Sequence, residues 1–395
     1  MLTRRVASKI ILIILLFFTV FGFSRSRAVT NIIFMVPDGL ALSNITAARL
    51  YAYGTGSDRL NLETLKQIGY QSTHSANSMV TDSAAAASAW ACGEKFNNGE
   101  ISLHSQTGIS PKTILEIARE LGKKTGLIAT SSITHATPAA FGAHVGDRNC
   151  ENEIARQYIV RTGIDLLLGA GKGFFQSYHI GADPCGTYGD FITLAKKRDY
   201  TIVDSREEMF SSYKDAKKIL GLFRNKSLTP AYRKIKTKKS AGEPSLSEMT
   251  HVALQFFESH PEGFFLLVEG SQIDWANHAN NLEYQIKEVL EFDRAVKAVL
   301  DWVKREEIRE KNTLIIIVSD HDCGGFAIKG PRGKILNRPG LYVEAGWIWG
   351  SHTSEDTMIW SQGPYSKHLG KAIDNTDIFH IMRAALNGRE YQKSR

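Results

Sequence analysis

Three apolar runs in this chain each end on residues that can hold a cation. Asn31–Val36 is followed by Pro37-Asp38-Gly39. Phe264–Glu269 leads into Gly270-Ser271-Gln272-Ile273-Asp274-Trp275 and then His278, and Leu314–Ser319 leads into Asp320-His321. A lone Asp after a strand is most often a turn or cap residue. Three such ends on one sheet edge, with two histidines among them, make a metal constellation, because ligands collect at the carboxyl ends of parallel strands. Asp274 and His278 are four apart, so one helical turn would aim both at a single ion. Asp with His suits Zn²⁺, whereas an all-oxygen set suits Mg²⁺.

Two further segments carry polar residues among small ones. Val80-Thr81-Asp82-Ser83 precedes Ala84–Ala87 and places Ser83 at a helix start. Its hydroxyl there is either a helix cap or a nucleophile, since a helix N-terminus favours a developing alkoxide and a bound phosphate. A neighbouring zinc would activate that hydroxyl without a histidine base. Thr134-His135-Ala136-Thr137-Pro138-Ala139 leads on to Arg148. A single arginine is usually solvated surface, but a phosphate site needs a planar, permanently charged fork, and Arg148 is the candidate.

The elements that must position these residues alternate. Strands are expected at Asn31–Val36, Gly126–Thr130, Asp165–Leu168, Phe264–Glu269, Leu314–Ser319 and Met358–Ser361. Helices are expected at Asn44–Tyr53, Ser83–Cys92, Pro111–Leu121, Ser247–Ser259 and Glu283–Val303, the last with apolar residues at a helix-face spacing. Short apolar strands alternating with amphipathic helices imply an α/β fold with a central, mostly parallel sheet sandwiched by helices. Two stretches break the pattern. Residues 210–245 carry ten Lys and Arg and read as a solvated surface insertion in preference to a polyanion patch. Residues 322–350 are Gly-rich and read as a loop insertion beside the site.

The 395 residues are 43% hydrophobic and 23% charged, which excludes a disordered chain and a polytopic membrane protein. Arg4, Arg5 and Lys9 precede an apolar run, Ile10–Phe23, too short for the roughly 20 residues a spanning helix needs. Small residues at Ser26 and Ala28 follow. Residues 1–28 therefore read as a secretory signal peptide in preference to an uncleaved anchor, leaving residues 29–395 as one domain with no stable membrane span. Cleavage removes five basic residues and takes the formal net charge from +7 to +2, which weakens a nucleic-acid-binding reading. Export to the periplasm or beyond is an oxidising context. Cys150 and Cys185 flank an irregular stretch and read as a disulfide; Cys92 and Cys323 read as buried thiols.

The chain resembles the alkaline phosphatase family over nearly all of residues 29–395. Six blocks carry the resemblance in order: Pro37-Asp38-Gly39, Thr81-Asp82-Ser83-Ala84-Ala85, Ala136-Thr137-Pro138-Ala139, Glu269 to Asp274 with His278, Ser319-Asp320-His321, and Gly350-Ser351-His352-Thr353. The resemblance implies a two-zinc, one-magnesium site hydrolysing phosphate monoesters through a phosphoserine intermediate. It implies Asp274, His278 and His352 for one Zn²⁺; Asp38, Asp320 and His321 for the other; and Asp38, Thr137 and Glu269 for Mg²⁺. Ser83 is implied as the nucleophile and Arg148 as the phosphate clamp. His135 and Trp275 stand beside these residues where the enterobacterial pattern has Asp and Lys, and both resemble branches that include cold marine bacteria. Trp275 in place of that Lys implies weaker retention of product phosphate. Ser83 with Arg148 favours a monoesterase over a sister phosphodiesterase, which uses Thr. Cys150 matches a cysteine that family members use in a disulfide, and the resemblance implies a homodimer.

Overall fold

The computed structural model describes residues 28–176, 184–236, 242–330 and 339–391. The strands are β1 (Asn31–Pro37), β2 (Gln67–Ser72), β3 (Lys124–Ser132), β4 (Leu166–Ala170), β5 (Tyr200–Val203), β6 (Lys218–Leu222), β7 (Phe264–Gly270), β8 (Thr313–Val318), β9 (Ala327–Gly330), β10 (Glu344–Gly346), β11 (Thr357–Gln362) and β12 (Ala372–Asp374). Ten of them form one sheet in the order β12-β2-β11-β8-β1-β7-β3-β4-β6-β5. Only β11 runs antiparallel to its neighbours, β2 and β8. The central strands are buried on both faces, which is why they read as unbroken apolar runs.

The two faces of β1 divide the core. Ile32, Phe34 and Val36 pack with the Ser83–Cys92, Ala136–Gly142 and Asn375–Asn387 helices. Ile33 and Met35 face the Leu246–Phe257 and Leu282–Lys304 helices. Alanines at 84, 85, 86, 87, 89 and 91 let the first of these helices lie against the sheet with all ten residues buried.

Two boundaries differ from expectation for identifiable reasons. The helix expected from Pro111 begins at Ile114, because Thr113 caps it: Thr113 Oγ1 accepts from the Glu116 amide and the Glu116 carboxylate accepts from the Thr113 amide. The expected surface insertion at 210–245 contains β6, whose Ile219–Leu222 are buried between β4 and β5. That part of the stretch is sheet, correcting the insertion reading there; the flanking lysines had masked a short apolar strand. In 322–350, β9 and β10 pair into a separate two-stranded ribbon. The expected signal peptide lies outside the described residues, save Ala28. Among the described residues, no helix is long and apolar enough to cross a membrane. Cys150 and Cys185 are joined by a disulfide, and Cys92 and Cys323 are buried free thiols.

Candidate active site

Strands β8, β1, β7 and β3 are consecutive in the sheet, so their carboxyl ends deliver residues to one edge. β1 delivers Asp38, β7 carries Glu269 near its end, β8 is followed by Asp320 and His321, and β3 leads to His135 and Thr137. Glu269 is in register with Val36 on one side and Ala129 on the other. The turn after Asp38 requires glycine: Gly39 has φ +69°, and a Cβ there would lie 2.7 Å from Asp274.

The Gln272–His278 helix puts Asp274 and His278 on one face, with His278 Nε2 3.3 Å from Asp274 Oδ2. His352 joins them from the far side of 322–350, its Nε2 3.1 Å from His278 Nε2 and 3.6 Å from Asp274 Oδ1. His278 Nδ1 faces the Gly350 carbonyl at 2.8 Å and His352 Nδ1 the Thr81 carbonyl at 3.0 Å. A carbonyl can only accept, so each neutral ring carries its proton on Nδ1 and turns an Nε2 lone pair inward. Two lone pairs at 3.1 Å repel unless a proton or a metal cation lies between them. The spacings fit a tetrahedral zinc, for which Zn–N bonds of about 2.0–2.1 Å give ligand edges of about 3.3 Å. In the metal-free chain, the hydrogen bond to Asp274 holds His278 up at about 9.

The second group is fully buried. His321 Nε2 lies 3.1 Å from Asp320 Oδ2 and 3.7 Å from Asp38 Oδ1. Ser83 Oγ is 3.1 Å from the same nitrogen. The third group joins Asp38 to Glu269 and brings in His135 as a potential donor. The resemblance had placed His135 only beside such a site. Both oxygens of Asp38 and of Glu269, Thr137 Oγ1 and His135 Nδ1 are buried without a hydrogen-bond partner. Buried, unpartnered carboxylates cost several kcal/mol each, so this cluster fits bound cations chemically. Burial, with the nearby Asp320 charge, pushes Glu269 up to about 8, and burial with the surrounding carboxylates raises Asp38 as well. Burial and the Arg148 charge hold His135 down at about 3, a neutral ring.

Ser83 is not the helix cap. Asp82 is the N-cap and accepts from the Ala85 amide at 2.9 Å, leaving Ser83 as the first helical residue with its hydroxyl free for His321. Asp82 Oδ2 also holds Arg148 Nη1 at 3.0 Å. The role of Asp82 is not evident from the sequence, although it lies within the Thr81-Asp82-Ser83 motif. Ser83, Arg148, Asp274, His278, His352, His135 and Trp275 line one open cleft of about 490 Å³, with Trp275 edge-on to His135. The structure thus brings every expected site residue to one sheet edge.

Comparison with known proteins gives the family of the chain. The family model for alkaline phosphatase matches residues 29–339. Alkaline phosphatase 3 of Bacillus subtilis is 32% identical, with the alignment covering 89% of this chain and 87% of that protein. The solved alkaline phosphatase of the Antarctic bacterium TAB5 superposes with a TM-score of 0.79 at 32% identity, covering 92% of this chain and 99% of that one. A variant of that enzyme with a histidine changed to aspartate, solved with Mg bound in its M3 site, superposes with a TM-score of 0.78 at 31% identity over the same shares. The chain therefore belongs to the alkaline phosphatase family and is a phosphomonoester hydrolase.

Proposed function

We propose that the chain hydrolyses phosphate monoesters through a phosphoserine formed on Ser83. The observation that carries this reading is the position of Ser83 Oγ, at a helix N-terminus 3.1 Å from His321 Nε2 and in the same cleft as Arg148. Asp274, His278 and His352 would hold one Zn²⁺, Asp38, Asp320 and His321 a second, and Asp38, Thr137 and Glu269 a Mg²⁺. When bound, such ions stabilise charge on phosphoryl oxygens and lower the pKa of an adjacent hydroxyl or water. A Mg-bound variant among the neighbours supports a magnesium site in this fold.

Ser83 Oγ loses its proton to solvent and forms a bond to phosphorus as the bond to the leaving oxygen breaks, and the departing alkoxide takes a proton from solvent. Water then attacks the phosphoserine on the opposite face, releasing inorganic phosphate and restoring the serine. Arg148 binds two equatorial oxygens with its fork, and Asp82 keeps that fork at the cleft wall. The backbone dipole of the Ser83–Cys92 helix favours the negative charge that gathers at Ser83. Export by residues 1–28 to the periplasm or the medium, and assembly as a homodimer, belong to the same reading. Turnover of an aryl phosphate at alkaline pH, with elemental analysis of the purified protein, tests it. Turnover with two zinc and one magnesium per chain is the expected result; a metal-replete, folded protein without turnover overturns it.

A further inference from the structure

The Asp274, His278 and His352 group has a fourth neighbour. Cys323 lies two residues beyond His321, and its backbone bridges that of His352. The side chain is fully buried and makes no disulfide. Its Sγ and one donor atom each from Asp274, His278 and His352 all lie within 4.8 Å of one another. Asp274 Oδ1, on a residue only 5% exposed, has no hydrogen-bond partner. A buried cysteine usually packs as a small apolar residue, yet this one faces a carboxylate and two imidazoles. Cys92 shows the contrast: it packs in the apolar core and its thiol donates to the Pro111 carbonyl.

We propose that Cys323 Sγ is a fourth protein donor to the metal held by Asp274, His278 and His352. The proposal rests on the metal-site reading above and adds a ligand to it. On binding, the thiol proton leaves to solvent and a metal–sulfur bond forms. The three other residues line the cleft, while Cys323 does not and stands on the buried side. A thiolate from behind leaves the cleft side of the ion free for a phosphate ester, which zinc accommodates by becoming five-coordinate. A soft sulfur donor also makes this position discriminate for Zn²⁺ and Cd²⁺ over Mg²⁺.

The test is spectroscopic and uses the full chain. The Co²⁺-substituted protein should show a sulfur-to-cobalt charge-transfer band in the near ultraviolet. X-ray absorption of the Zn²⁺ form should show sulfur at about 2.3 Å, one per two zinc ions. Cys323→Ala should lose the band while keeping cobalt's visible absorption, and Cys92→Ala should keep both. The apparent zinc affinity of Cys323→Ala should fall by at least the roughly 10–100-fold that follows loss of a metal ligand's outer partner. Stoichiometric metal with a shell of nitrogen and oxygen alone, and no charge-transfer band, overturns the proposal and leaves the metal site standing. Protein that binds no metal at all overturns the underlying reading. The parental spectra decide the question even if Cys323→Ala fails to fold.

Discussion

Asp82 joins two elements through its two carboxylate oxygens. Oδ1 caps the Ser83–Cys92 helix through the Ala85 amide, and Oδ2 binds the Arg148 fork and accepts from the Gly99 amide. Asp82→Ala removes all three contacts. Stability should fall by about 1 kcal/mol for the lost cap, and KM for an aryl phosphate should rise several-fold. Asp82→Asn keeps a capping oxygen but loses the charge, so its melting temperature should stay near the parent's while KM still rises. Equal melting temperatures and equal KM for Asp82→Ala and the parent would contradict this assignment. Trp275 lines the same cleft and offers phosphate no charge. Trp275→Lys should tighten product inhibition by phosphate; an unchanged or weaker inhibition constant would show that Trp275 does not govern phosphate release. Asp38, Glu269, Asp274, His278, Asp320 and His321 were legible in the sequence through residue type with strand-end position or four-residue spacing, whereas Thr137 and His352 came only from the family resemblance. Asp82 was not legible, since Thr81-Asp82-Ser83 offers three side chains able to cap and only backbone geometry selects one. The position of Cys323 was not either: it depends on how residues 322–350 return to place His352.

Elements with one dominant pattern were legible. The Leu282–Lys304 helix declares itself through its apolar stripe, and β1, β7 and β8 through unbroken apolar runs. β2 is an outer strand with Ile68 and Tyr70 exposed and a polar, glycine-containing sequence, so it lacks that signature. β6 is short and hidden behind lysines. The long helix buries three acidic side chains, Glu288, Glu291 and Asp293, and Glu288 ties stability to pH. Glu288 accepts from the Ala231 amide at 2.5 Å, and burial pushes it up to about 8. A carboxyl raised in the folded state leaves that state holding more protons than the unfolded chain between the unfolded value, about 4.3, and about 8. Stability from this group is therefore greatest below the unfolded value and declines as pH rises towards 8. Glu288→Gln should remove that slope and stabilise the chain at pH 8 by on the order of a few kcal/mol. Melting curves from pH 5 to pH 9 (roughly spanning the titration) would show it. A variant as pH-sensitive as the parent would rule Glu288 out as the source.

For the whole molecule, the relevant charge is local. The formal excess of +7 is mostly in the amino-terminal segment read as a signal, whereas the site edge gathers Asp38, Glu269, Asp274 and Asp320 within the buried interior. Such a cluster is stable with divalent cations among the carboxylates and strained without them. Chelation should therefore lower the melting temperature as well as abolish turnover. Each site should lose about 2.7 kcal/mol at a hundredfold excess of metal over its Kd. Added zinc and magnesium should restore both properties together. A chelated chain melting at the parental temperature would contradict this. A phosphoserine intermediate is covalent and can be trapped directly. The protein should be incubated with a radiolabelled phosphate monoester and quenched in acid, and its peptides then sequenced by mass spectrometry. A phosphoryl group is expected on Ser83 and absent from Ser83→Ala, whose turnover should fall by roughly three or more orders of magnitude. Turnover near the parental rate in a metal-replete Ser83→Ala, or label on a different residue, would contradict it.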